Sequence, residues 1–204
     1  ADARAQALHD FYRLNWIGEQ DRVSPGFKAM LQRHGDRAYA LTVEADPVEA
    51  ARWRALAQCP PGSIGRALSD FYAERGFGLP GEPGAANAAL AHHDWIHVLA
   101  DYDTTPVGEL EVTAFQAAAS RLPGATLGFI GAVAIFQGGL LPSLVVQGYT
   151  HVVEQPGVPE RLSEAIRRGR ACRRDPFCGM DFFSVADEPL EALRQQWGVP
   201  ALRA

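Results

Sequence analysis

The sequence predicts an all-α fold that is mostly helical and bundle-like. Apolar residues recur at helical spacing from one end of the 204 residues to the other. Strand patterns, by contrast, are scarce. AYALTVEA at 38–45 alternates, but Asp46 and Pro47 end it, and LVVQGYTHVV at 144–153 fits either a strand or a helix. We therefore expect a single helical domain over residues 1–204.

Capping signals place the helices in order along the chain. Ser24 and Asp46 are each followed by a proline, which suits the first helical position, and Ser63 opens a helix that Gly76 closes. The loop GLPGEPG at 78–84 is the best candidate for an internal boundary. The predicted helices cover 3–16, FKAMLQRH, VEAARWRALAQ, IGRALSDFYAERG, 85–101, 106–121, an apolar segment from 125, 159–174 and 187–197.

The composition is that of a soluble globular protein with a hydrophobic core. Hydrophobic residues make up 47% of the chain and charged residues 21%. The net charge of −5 argues against a nucleic acid partner, which a basic patch would indicate. The three cysteines, Cys59, Cys172 and Cys178, lack metal or redox spacing, which fits a reducing compartment. Because the N-terminus also lacks a signal pattern, we expect a cytoplasmic protein.

The segment HHDWIHVLADYDTTPVGELE at 92–111 places polar groups in an otherwise apolar stretch. A helix advances about 100° per residue, so His93, Asp94 and His97 share one arc no wider than that. Two imidazoles and a carboxylate on one face are the donors that a borderline divalent metal prefers. A histidine pair at this spacing also occurs without a metal, and that alternative stays open.

A fourth candidate ligand follows in the next predicted helix. Thr105 is placed to cap that helix and Pro106 to begin it, and Gly108 would allow close approach of the backbones. If the two helices run antiparallel, Glu109 returns over the end that carries His97. Two imidazoles and two carboxylates then form a four-ligand site, with Zn²⁺ the first choice and Fe²⁺ or Mn²⁺ as alternatives.

Nearby polar residues are interpreted as outside this ligand set. His9 and Asp10 form a similar pair without a second histidine four positions later. His92 points about 100° away from His93, so it is expected at the surface or supporting the ligands. Asp101 and Asp103 lie in a turn rich in Asp and Thr, where such side chains usually bond the turn's own backbone.

These residues resemble a known motif. His93-Asp94-x-x-His97, eleven residues and then Glu109 match the HDxxH-x(11)-E motif of the ubiquinone biosynthesis family known as coenzyme Q protein four. HVLADYDTTPVGE is similar to that family's HVLTGYDTDxxGE segment, and PPGSIGRALSDFYAERG is similar to its PPGTLGxxYAxFL segment. EAIRRGRACRRDPF and PLEALRQQWGVP also resemble its C-terminal pattern, so the likeness covers about 50–200. Ala100 departs from it, standing where the family commonly has glycine.

The resemblance implies a metal-dependent protein of ubiquinone biosynthesis. Its zinc ligands would be His93, Asp94, His97 and Glu109. The implied reaction is that of a lyase, an oxidative decarboxylase that replaces the C1 carboxylate of a polyprenylated 4-hydroxybenzoate by decarboxylation coupled to hydroxylation. Other ubiquinone biosynthesis enzymes and the membrane surface are the implied partners, which in a bacterium means peripheral association with the inner membrane. The alternative is a non-catalytic isoprenoid-binding scaffold with a structural metal, and a homo-oligomer is compatible with either.

The segment from Leu122 to Val153 contains no charged residue. About 20 apolar residues would span a bilayer, but Gln137, the pair at 138–139 and Pro142 break this run into pieces typical of buried elements. Small residues there leave room for an apolar guest such as a polyprenyl tail, close to the metal. The candidate lining residues are Leu127, Ile130, Gly131, Ala134 and Ile135.

A run of arginines follows this segment. It is interpreted as a solvated helix face or, alternatively, as a surface for lipid head groups or for the anionic end of a substrate. Its members are Arg161, Arg167, Arg168, Arg170, Arg173 and Arg174.

Overall fold

The computed structural model describes residues 45–88, 90–139, 149–176 and 180–202. Within these ranges the chain is helical and contains no β-strand, and its two isolated β-bridges join Ser63 to Pro189 and Gly138 to Thr150. The prediction of a mostly helical fold is therefore confirmed. The helices predicted at 3–16 and at FKAMLQRH, and nearly all of the alternating segment 38–45, lie outside the described residues.

Seven α-helices occur in the described ranges, and three short 3-10 turns accompany them. The helices are α1 Pro47–Arg54, α2 Ile64–Arg75, α3 Asp94–Ala100, α4 Pro106–Ala119, α5 Pro123–Phe136, α6 Val158–Ala171 and α7 Leu190–Trp197. The 3-10 turns are Ala55–Gln58, Ala91–His93 and Phe182–Val185.

The predicted caps begin three of these helices. The Asp46 carboxylate accepts hydrogen bonds from the amides of Val48 at 3.1 Å and Glu49 at 3.0 Å. The hydroxyl of Ser63 accepts from Arg66 N, and that of Thr105 accepts from Gly108 N, each at 3.2 Å. These bonds satisfy first-turn amides that have no partner within the helix.

Several helix bounds differ from the prediction. The segment expected to be helical over 85–101 becomes helical only at the 3-10 turn Ala91–His93, and α3 follows from Asp94. The Asn87 side chain accepts a 2.9 Å hydrogen bond from Leu90 N and forms a turn before it. The last helix begins at Leu190 and not at 187, since Pro189 holds an extended conformation directly before it. The helices predicted at 106–121 and 159–174 end at Ala119 and Ala171. Residues 149–153 are not helical, and 144–148 lie outside the described residues.

The chain divides into two compact units. In the described ranges, the first unit holds 45–88, 90–101 and 180–202, with α1, α2, α3 and α7. The second unit holds 102–139 and 149–176, with α4, α5 and α6. The loop at 78–84 lies inside the first unit, and the prediction of one domain over 1–204 stays a prediction.

The core of the first unit is an aromatic cluster behind α3. The ring of Trp95 stacks on Phe182 with centroids 5.3 Å apart, and Phe182 in turn lies 6.0 Å from Trp197. All three side chains are no more than 1% exposed. Burying such large rings stabilises a fold by roughly 1.5–3 kcal/mol each. The cluster therefore fixes α3 between α7 and the 3-10 turn Phe182–Val185.

The second unit is built around α4, which packs against α5 and α6. Gly169 of α6 lies against the carbonyl of Phe115, with no room for a Cβ atom. Arg161 donates two hydrogen bonds to the buried Glu111 carboxylate, at 2.9 and 2.6 Å. Burial raises the pKa of Tyr102, which lies beneath the Arg168 guanidinium, to about 12.

No helix in the described ranges combines the length and the apolar character needed to cross a membrane. The most apolar of them, α5, has 14 residues.

Candidate metal centre

The structure brings together His93, Asp94 and His97. His93 ends a 3-10 turn, Asp94 begins α3 and His97 lies one turn later. One potential ligand atom from each side chain lies within 4.8 Å of the other two. His97 is 1% exposed and Asp94 is 9% exposed, so the group opens to solvent mainly on the His93 side.

The tautomer of His93 follows from its neighbours. Its Nδ1 lies 2.5 Å from the carbonyl oxygen of Leu90, which can only accept, so Nδ1 carries the proton and donates. In the neutral ring Nε2 is then bare, and it faces the Asp94 Oδ1 at 3.3 Å. Two acceptors facing each other repel. A metal cation bound by both atoms would remove this repulsion.

Asp94 is fixed from the side of α2. The buried hydroxyl of Tyr72 donates a hydrogen bond to Asp94 Oδ2. Burial, and next the negative charge of Asp94, raise the pKa of Tyr72 well above its usual value, so this hydroxyl is a donor. The carboxylate therefore uses one oxygen toward Tyr72 and presents the other to His93.

His97 is held by ring contacts. Its imidazole stacks on Phe71 with centroids 5.9 Å apart and meets the edge of the His93 ring at 5.1 Å. These contacts keep the His93 imidazole beside that of His97, in the arrangement that the spacing predicts.

The donor set suits zinc. With bonds of about 2.0–2.2 Å, two ligands on one tetrahedral ion lie roughly 3.3–3.6 Å apart. The Nε2 of His93 and the Oδ1 of Asp94 already have this spacing at 3.3 Å. Nitrogen and carboxylate oxygen together also serve Fe²⁺ and Mn²⁺, and the presence and identity of the ion stay predictions.

Glu109 lies in the first turn of α4, in the second unit, with a partly exposed side chain. The group of three lies in the first unit, and the addition of Glu109 as a fourth ligand stays a prediction. Local packing explains why position 108 is glycine, because a Cβ atom there would collide with the carbonyl and the carboxylate of Asp103. Glycine at this position permits the tight turn that precedes α4.

Asp103 bonds the backbone of its own turn, as expected: its Oδ1 accepts a hydrogen bond from Thr105 N at 2.9 Å. Asp101 differs from the expectation, because its Oδ2 accepts a hydrogen bond from the distant Leu202 N at 3.2 Å. His92 differs from the expectation of a surface position. It is 7% exposed and its ring lies 5.3 Å from Phe182, because the 3-10 turn directs it into the aromatic cluster.

Two groups at the site were missed from the sequence, the Tyr72 hydroxyl and the Leu90 carbonyl. Tyr72 follows Phe71 on the apolar face of α2 and reads as an ordinary core residue. The one signal that could have found it is its hydroxyl, since a buried tyrosine usually needs a hydrogen-bond partner.

The candidate isoprenoid-lining residues all lie on α5. Ile130 is 56% exposed, and Leu127, Gly131, Ala134 and Ile135 are partly buried. A cavity of about 570 Å³ in the first unit has other walls, among them Arg52, Cys59, Asp181, Phe183 and Asp187. An isoprenoid pocket lined by α5 stays a prediction.

Half of the arginine run has partners in the second unit. Arg161 pairs with Glu111, Arg167 pairs with Glu164, and Arg168 is buried over the Tyr102 ring. Arg170, Arg173 and Arg174 are exposed. The run is therefore not one uniform basic surface.

Comparison with known proteins gives a likeness of fold. No protein-family model and no curated protein matches the chain. A crystal structure of a candidate ubiquinone biosynthesis protein from Nostoc punctiforme is similar, with a TM-score of 0.51 and 17% identity. The match covers 97% of this chain and 82% of that one. At this identity the likeness shows that the two chains share a fold.

Proposed function

We propose that this chain is a metal-dependent protein of ubiquinone biosynthesis that acts on a polyprenylated 4-hydroxybenzoate. The observation that carries the proposal is the group formed by His93, Asp94 and His97, in which one potential ligand atom from each lies within 4.8 Å of the others and His93 Nε2 lies 3.3 Å from Asp94 Oδ1. The HDxxH-x(11)-E motif and the fold shared with the Nostoc punctiforme protein support the same proposal.

The proposed reaction replaces the ring C1 carboxylate by a hydroxyl group. The bond from C1 to the carboxyl carbon breaks and carbon dioxide leaves. Dioxygen supplies the oxygen atom of the new C–O bond, and its second oxygen atom leaves as water with two protons and two electrons from an external two-electron reductant. A bound Zn²⁺, Fe²⁺ or Mn²⁺ would supply a Lewis acid that neutralises the charge of the carboxylate or phenolate. A lyase of the oxidative decarboxylase type is the class of enzyme that this chemistry implies.

The residues of the chain have distinct tasks in this proposal. His93, Asp94 and His97, with Glu109 from α4, would hold the ion. The Leu90 carbonyl keeps His93 in the tautomer whose Nε2 can bind a metal. The partly exposed His93 marks the side from which a substrate would approach.

The isoprenoid tail is proposed to bind along α5. This helix has no charged residue, and Ala125, Ala132 and Phe136 are its buried side chains in the described residues. Ile130 on this helix is 56% exposed. The proposed partners are isoprenoid lipids, a membrane surface and other ubiquinone biosynthesis enzymes. A nucleic acid is not among the proposed partners.

The test of the metal site is metal content after purification. We expect about one divalent ion per chain, and a severe loss in His97→Ala and Glu109→Ala, since each removes one of four ligands. His151→Ala is the matched control, because this exposed histidine contacts Glu154 and lies outside the proposed ligand set. Full metal occupancy in both ligand variants would refute the proposal.

A second candidate function is a non-catalytic isoprenoid-binding scaffold whose metal is structural. The favouring observation is that four protein ligands are typical of a structural zinc site. Turnover of a short-prenyl 4-hydroxybenzoate by protein of defined metal content separates the two candidates. Product that disappears on chelation and returns with one metal supports the lyase, whereas tight binding without product supports the scaffold.

A further inference from the structure

We propose that Tyr72 is a positioning residue for the metal: its hydroxyl holds one oxygen of Asp94, so that Asp94 binds the ion through the other oxygen alone. The inference rests on the metal site proposed above. It adds to that site a residue from α2 and a defined mode of carboxylate binding.

The two oxygens of Asp94 have different surroundings. Oδ2 accepts the hydrogen bond from Tyr72, and Oδ1 faces the Nε2 of His93 at 3.3 Å. Binding through both oxygens would turn Oδ2 toward the ion and break the bond to Tyr72. Because Tyr72 is 4% exposed, water could not easily replace the lost partner.

Packing keeps the Tyr72 hydroxyl in place. Its ring lies 5.5 Å from Trp53 and 5.8 Å from Phe77, whose ring is perpendicular to it. Trp53 is itself tied to the fully buried Glu49 by a 2.8 Å hydrogen bond from its Nε1. The hydroxyl oxygen therefore cannot move away from Asp94 without displacing two other aromatic rings.

One-oxygen binding has a consequence for the ion. Each carboxylate that binds through a single oxygen occupies one coordination position and leaves the next one open. A carboxylate released from its hydrogen bond can bind through both oxygens and fill that position. Tyr72 thus limits the coordination number of the metal without touching the metal.

The test compares wild type with Tyr72→Phe, using zinc competition against a chelator and the visible spectrum of the Co²⁺-loaded protein. We expect Tyr72→Phe to bind zinc about 10–100-fold more weakly, as is typical when a partner of a ligand is lost. We also expect weaker visible Co²⁺ bands, since added coordination reduces their intensity. Tyr102→Phe removes another buried tyrosine hydroxyl, from the second unit, and should change neither readout.

The outcomes separate the inference from the proposal beneath it. Wild type that binds neither zinc nor Co²⁺ overturns both. Wild type that binds zinc, with a Tyr72→Phe variant of equal affinity and identical Co²⁺ spectrum, overturns the role of Tyr72 alone. If the variant does not fold, infrared difference spectra of aspartate-labelled wild type with and without zinc answer the same question. A wide splitting of the carboxylate bands supports one-oxygen binding, and a narrow splitting overturns it.

Discussion

Arg194 of α7 holds the end of the helix that carries the candidate ligands. Its guanidinium donates to the carbonyl of Leu99 from Nε and to that of Val98 from Nη2, each at 2.9 Å. The Asp101 amide satisfies the carbonyl of His97 in the same turn. Because α3 has only seven residues, these bonds give partners to most of the backbone carbonyls in its last turn.

We expect Arg194→Met to lower the free energy of unfolding by about 2–4 kcal/mol. A hydrogen bond from a charged donor contributes roughly 1.5–3 kcal/mol, and two buried carbonyls would lose their partner. Arg194 is only 8% exposed, so the wild type bears the cost of removing the guanidinium charge from water. Methionine removes this cost, which offsets part of the loss. Urea unfolding without zinc measures the loss in the free energy of unfolding. The same measurement with zinc shows whether the metal stabilises Arg194→Met less than it stabilises wild type.

Glu191→Ala is the matched control for Arg194. This carboxylate pairs with Arg194 Nη1 at 2.5 Å, but its side chain is 69% exposed, so its loss should cost about 0–1 kcal/mol. Arg194→Lys should recover part of the stability, since one ammonium group cannot reproduce both bonds. If Arg194→Met destabilises no more than Glu191→Ala does, the two carbonyl bonds do not hold α3.

Two further predictions concern the second unit. Gly169→Ala should lower the free energy of unfolding by about 1–3 kcal/mol, since its Cβ would meet the Phe115 carbonyl. Gly128→Ala on α5 is the control: no atom lies within 4 Å of its added Cβ, so this variant should be neutral or stabilising. If urea unfolding gives the two variants equal stabilities, the close packing of α6 on α4 at Gly169 is contradicted. Tyr102 should ionise near pH 12 in the folded protein, by its ultraviolet absorbance. Because an unfolded tyrosine loses its proton near pH 10, the free energy of unfolding should fall between pH 10 and 12, and less so in Tyr102→Phe.

Features set by neighbours in sequence were predictable. The caps at Asp46, Ser63 and Thr105 need only a side chain that reaches an amide two or three positions later. The approach of His93, Asp94 and His97 follows from helical geometry alone. The start of the α3 segment was misjudged because apolar spacing continues through 85–90, where the Asn87 turn replaces the helix.

Features set by packing between helices were not predictable. The bond from Tyr72 to Asp94 joins residues 22 positions apart, and that from Arg194 to Leu99 joins residues 95 apart. No local pattern records how α2 and α7 pack against α3. The burial of His92 against Phe182 also depends on packing between distant segments. The sequence around a histidine does not show whether its side chain is exposed or buried.

In the proposed site, the number of Asp94 oxygens that bind the ion determines whether a coordination position is left for a substrate. A catalytic metal needs a position for the substrate, whereas a structural metal is enclosed by its protein ligands. If Asp94 binds through one oxygen, an ion with four protein ligands can still expand to admit a substrate oxygen. Tyr72→Phe should then reduce turnover of the short-prenyl substrate in protein loaded fully with metal, because a second Asp94 oxygen competes for that position. Unchanged turnover at equal metal content, together with an altered Co²⁺ spectrum, would mean that the reaction does not use the position that Tyr72 keeps open.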